Sequence, residues 1–147
     1  MRTQFIICAI VLMTITGSLL HANILPLSDE QCCEDVINDI VLPFLDALRN
    51  GDVDSIKLCI AGDIYENKKV LLEKNKGYPE FLRNYYQGVD FYIESAQQSG
   101  DFIVVDIVIE FINGDEGNAR LYLGQDLNNP PGAAEAAAWK IVGFHFK

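Results

Sequence analysis

The chain of 147 residues carries a formal net charge of −10, is half apolar and 10% aromatic, which fits one domain with one core and excludes a disordered chain. Its basic residues are spread singly apart from Lys68-Lys69, so neither a nucleic-acid backbone nor an anionic membrane surface would meet a cationic patch.

At the N-terminus, Arg2 precedes an apolar run from Phe5 to Ile15, and Gly17, Ser18 and Ala22 supply small residues before a cut after Ala22. This is the three-part pattern of a secretory signal, and the run is short for a membrane span. Residues 1–22 are therefore expected to be a signal peptide and residues 23–147 a single secreted or periplasmic domain without a membrane role; an uncleaved anchor is the alternative. Cleavage also removes Cys8 and leaves Cys32, Cys33 and Cys59, an odd number that cannot all pair within one chain. No Cys/His ligand spacing is present, so neither a metal nor another cofactor is expected.

Ser28 and Gln31 read as a capping box opening a helix whose apolar face is Val36, Ile37, Ile40, Val41, Phe44, Leu45 and Leu48. Pro43 lies inside it, removes a backbone donor and should kink or divide it. Asn50-Gly51 ends the helix, Asp52 caps a second carrying Val53, Ile56, Cys59 and Ile60, and Gly62 is expected to close that one. In an antiparallel helical hairpin Cys59 would lie on the order of 15 Å from Cys33, so no intrachain bridge to Cys32 or Cys33 is expected. Ile64 to Asn75 reads equally as a helix or as a short edge strand and turn. Pro79 opens a third helix with Phe81, Leu82 and Tyr85 on one face, and Gly88 stops it.

From Val89 the apolar period becomes two, with strands expected over 89–97, 102–112, 119–126 and 139–146. Short connections make neighbours antiparallel. A loop over 128–132 and one helical turn over 133–138 precede the last strand. In the second strand Ile103, Val105, Ile107, Ile109 and Phe111 form the face that should cover the helices, leaving Asp106 and Glu110 outward; Arg120 and Tyr122 are expected outward too. The last strand places Trp139, Ile141, Gly143 and His145 toward the cavity and Val142, Phe144 and Phe146 away from it. The fold class is thus α+β, with N-terminal helices on a curved antiparallel sheet of about four long strands.

The segments FLDALRNGDVDSIKLCI, YPEFLRNYY and AAWKIVGFHF, in that order over nearly all of residues 23–147, resemble the nuclear transport factor 2-like, or cone-fold, superfamily. The resemblance implies a bent sheet around helices, enclosing a conical cavity that some members use for chemistry and others only for packing. Catalytic members resembling ketosteroid isomerase, scytalone dehydratase or limonene epoxide hydrolase place polar groups inside the cone, whereas the alternation here turns Asp106, Glu110 and Arg120 outward. The resemblance also implies pairing through the outer sheet face, with Asp106, Glu110, Arg120, Tyr122, Phe144 and Phe146 as candidate dimer residues.

Three functional readings follow. A non-catalytic binding or dimerisation protein would take an apolar ligand in the cone, with Tyr65, Tyr78, Tyr85, Trp139 and Ile107 as lining candidates. A cofactor-free isomerase, dehydratase or hydrolase would use His145, or a cavity tyrosine, as its acid–base group. An accessory or immunity-type module would meet a basic partner with its acidic surface.

Overall fold

The computed structural model describes residues 29–125 and 139–147. The expected signal segment, Ser28 of the expected capping box, and the loop and turn expected over 128–132 and 133–138 lie outside the described residues.

Helix α1 (Asp29–Val36) runs through a π-helical turn (Ile37–Val41) into α2 (Leu42–Asn50). The division falls at Pro43. Its ring would collide with the carbonyl four residues back in a regular helix, and a wider turn, in which the Leu42 N–H reaches back five residues to the Ile37 carbonyl, provides the room. Widening also lets two apolar pairs, Ile40-Val41 and Phe44-Leu45, all face the core. Gly51 then takes φ +63° and ends α2, its amide donating to the carbonyls of Ala47 and Leu48. A side chain there would collide with the Pro79 carbonyl oxygen, because the turn presses against the following layer.

Asp52 accepts from the Ser55 amide and hydroxyl, capping α3 (Val53–Cys59). Gly62 does not close this helix, as the sequence suggests. The chain is already extended at Ile60, which forms a parallel bridge with Ile141, and Gly62 (φ +64°) begins α4 (Gly62–Lys74). The ambiguous segment from Ile64 is therefore helical, with Leu72 buried. After Pro79 enters the first turn of α5 (Tyr78–Tyr85), Gly88 takes φ +67° and turns the chain into the sheet.

Four antiparallel strands follow in sequential order: β1 (Asp90–Ser99), β2 (Phe102–Glu110), β3 (Glu116–Gln125) and β4 (Trp139–Phe146). Gly100, with φ +61°, is the first central residue of the two-residue β1–β2 connection. Strand β3 starts earlier than alternation indicates. Asn113 and Asp115 hold a tight loop through side-chain hydrogen bonds, which frees Glu116 to pair with Glu110.

The row Ile103, Val105, Ile107 and Ile109 is buried against the helices together with Ala119, Leu121, Leu123 and Ile141. Two bulges bend this sheet. On β1 Glu94 is the extra residue between the pairs Ile93–Ile107 and Ser95–Asp106. On β4 Val142 is the extra residue between Leu123–Ile141 and Tyr122–Gly143. Each bulge inverts the alternation beyond it and increases the local twist, so the sheet curves around the helices. Cys33 and Cys59 are buried in the core, and no disulfide joins Cys32, Cys33 or Cys59 among the described residues. No described helix is long and apolar enough to cross a membrane.

Candidate functional site

The Val142 bulge decides what the interior contains. Beyond it Phe144 pairs with Leu121 and Phe146 with Ala119, both residues of the inner row, so these two rings face the helices. Phe144 packs edge-on against Phe44 of α2, with centroids 6.1 Å apart. His145 pairs with Arg120 on the other face and stands edge-on to the Tyr122 ring at 5.6 Å. Both expectations for this strand are thereby corrected. Phe144 and Phe146 are not on the outer face, and His145 does not point into the cone.

Between β4, α4 and α5 lies an open cleft of about 450 Å³. Its floor is made by Phe44, Leu48, Ile56 and Leu82, and its walls carry Tyr78, Phe81, Tyr85, Tyr86, Phe144 and Phe146. Tyr78, Phe81 and Tyr85 occupy positions i, i+3 and i+7 of α5 and stack in a row, with centroids 6.0 and 5.8 Å apart. Phe81, Tyr85 and Phe146 remain about half exposed at the mouth, an arrangement that leaves apolar rings accessible beside the cleft. Deeper in, burial pushes the Tyr86 phenol up to about 12 and raises that of Tyr78, so both hydroxyls stay protonated at neutral pH. Among the described lining residues Lys68 is charged and none is Asp, Glu or His.

The sequence candidates divide accordingly. Tyr78 and Tyr85 line the cleft. Tyr65 does not: its hydroxyl donates to Glu73 at 2.6 Å and Lys69 lies over its ring. Ile107 is in the solid core, 1% exposed, and Trp139 borders a second recess with Phe102 and Val142 at the far end of the sheet. Phe81 and Tyr86 were marked by the aromatic spacing of α5 and by Tyr85-Tyr86 adjacency. The contribution of α4, through Ile64, Lys68 and Leu72, had a helical spacing of four that a polar composition obscured.

On the outer face Asp106 sits at the centre, 9% exposed. Arg120 donates to both its oxygens at 2.8 and 2.9 Å, Lys147 Nζ to Oδ1 at 2.7 Å, and Ser95 Oγ lies 3.4 Å from Oδ2. Hydrogen bonds from Arg120 and then Lys147 hold its carboxyl well below the usual carboxylate range. A carboxylate so saturated with donors is a poor proton acceptor, so it knits strands together and is no general base. Tyr122 flanks this pair, whereas Glu110 is exposed at the strand end, where it faces the Tyr92 hydroxyl and raises its pKa.

No family profile and no curated protein matches the chain. A crystal structure from Campylobacter jejuni, described as an NTF2-like transpeptidase, is similar over 70% of this chain and 94% of that one, at 17% identity and a TM-score of 0.47. The helices-first order, the four-stranded meander and its curvature around the helices are the chain's own features. The described elements form an α+β fold, a curved four-stranded antiparallel sheet packed on N-terminal helices. In this α+β domain the cleft is open at one end and lined by aromatic rings.

Proposed function

We propose that this is an exported, non-catalytic binding protein that takes a small apolar molecule in the cleft between β4, α4 and α5. The observation that carries the reading is the open 450 Å³ cleft with an aromatic and aliphatic lining, of the size and polarity that small-ligand sites favour. The acid–base alternative is not favoured, because His145 and Asp106 stand on the opposite face of the sheet from the cleft. Export rests on the Arg2-led apolar segment and the small residues ending at Ala22.

Titration with the neutral dye Nile red tests the ligand site. One saturable site per chain is expected, with affinity falling at least about tenfold in Phe81→Asp, which places a charge among the rings at the mouth. Val70→Asp, 65% exposed on α4 and outside the cleft, should leave binding unchanged. Absence of saturable binding, or equal loss in both variants, contradicts the reading.

Homodimerisation through the outer sheet face belongs to the same proposal. Val108, Tyr122 and Val142 are partly exposed there, and Phe102 and Tyr92 are 46% and 50% exposed around the internally neutralised Asp106–Arg120 pair. A second copy would cover these rings without stripping a lone charge of water. Sedimentation equilibrium at micromolar concentration should give twice the monomer mass; a monomer contradicts the pairing.

A further inference from the structure

We propose that the occupant of the cleft is a single-chain amphiphile with an anionic head, its carboxylate paired with Lys68 and its apolar body lying along the rings of α5. The inference rests on the reading of the cleft as an apolar ligand site and adds the chemistry of the head group.

Lys68 is placed on the stripe of α4 that faces the cleft, one turn from Ile64 and one turn from Leu72, both of which line it. Its neighbour Lys69 is engaged: Glu66 lies 3.9 Å from its ammonium, which also sits 5.7 Å from the centre of the Tyr65 ring. Lys68 has no ion-pair or hydrogen-bond partner among the described residues. An ammonium on a stripe of aliphatic residues, with its stem against apolar surface and its head unpaired, is a ready partner for an anion at the edge of a greasy site. The remaining polar groups of the lining agree in sign. Tyr86, only 5% exposed, has a hydroxyl without a protein partner among the described residues, and the phenols of Tyr78, Tyr85 and Tyr86 can all donate. With donors and a cation but no carboxylate, the described lining suits an acceptor-rich anionic head. A cationic head would meet Lys68 with no compensating charge. The stacked row of Tyr78, Phe81 and Tyr85 gives a linear apolar track leading from the mouth, which fits a chain better than a compact ring system.

The test compares dodecanoate, its methyl ester and dodecyltrimethylammonium by calorimetry on the full chain. It is run below their micelle concentrations and at a fixed, high ionic strength that screens the overall charge of −10, which otherwise disfavours the anion and favours the cation. Dodecanoate should bind about tenfold tighter than the ester, and Lys68→Gln should remove that advantage, weakening dodecanoate far more than the ester. Lys68 is exposed, so its replacement by glutamine spares the core. Equal binding of dodecanoate and ester, or tighter binding of the cationic amphiphile, overturns the anionic head while the apolar site stands. Failure of all three to bind the wild-type chain overturns both.

Discussion

Asp106 shows how a carboxylate can sit near the middle of an apolar sheet without being a reactive group. Arg120 lies directly opposite it on β3 and meets both oxygens, and Lys147 approaches from beyond β4, so the acid is neutralised from two strands at once. Its pKa is lowered by folding, so its contribution is fully present above the unfolded value of about 3.9 and is lost as pH falls toward the folded one. Asp106→Asn should cost about 2 kcal/mol at neutral pH, the worth of charged hydrogen bonds left half-made. In urea titrations the gap between wild type and variant should hold from about pH 6 to about pH 5 and shrink from there to about pH 3. A gap that stays constant over that range would mean the carboxylate is not paired in solution. Tyr86 behaves in the opposite sense: burial keeps it neutral, which suits a hydrogen-bond donor in the cleft.

At the scale of single elements, periodicity in the sequence identifies the long strands and their inner row correctly wherever alternation is unbroken, as from Ile103 to Ile109. It fails where one residue is inserted without a signature. Val142 is β-branched, apolar and unremarkable in the segment Trp139 to Phe146, and only its pairing across to β3 reveals that it shares a rung. Because side chains alternate with a period of two, that one residue exchanges His145 for Phe144 and Phe146 on the inner face. The same pattern governs the helices. Pro43 marks where the first helix divides, but the π turn that accommodates it depends on packing Ile40, Val41 and Phe44 on one core. Helix α4 was ambiguous because most of its residues face water and only Ile64, Lys68 and Leu72 turn to the cleft. Deleting Val142 makes the bulge testable. The deletion should leave Ile141 opposite Leu123 and Gly143 opposite Tyr122, keep Phe144 and Phe146 on the inner face, and cost only about 1–3 kcal/mol through lost packing and curvature. A deletion variant that no longer unfolds cooperatively would rule out the register described, because in an unbulged strand the deletion moves every later side chain to the other face.

The whole molecule is held closed on one side of the cone. Ile60 bridges to Ile141, the Ala61 amide donates to the Ile141 carbonyl at 3.0 Å, and Lys140 Nζ reaches the Leu58 carbonyl at 2.6 Å, so the α3–α4 junction covers the free edge of β4. The opposite side, where α5 carries its stacked rings past Phe144 and Phe146, is left apart and forms the cleft. Inner cleft and outer charged face are thus separate surfaces of one sheet, and the proposed function assigns the ligand to the inner one. Chemical-shift mapping by NMR with a neutral apolar ligand, added to the isotopically labelled chain, tests that assignment most directly. Saturable shifts are expected at Leu72, Leu82, Tyr86 and Phe144, with Val104, Tyr122 and His145 unmoved. Shifts confined to Val104, Tyr122 and His145 would contradict the assignment.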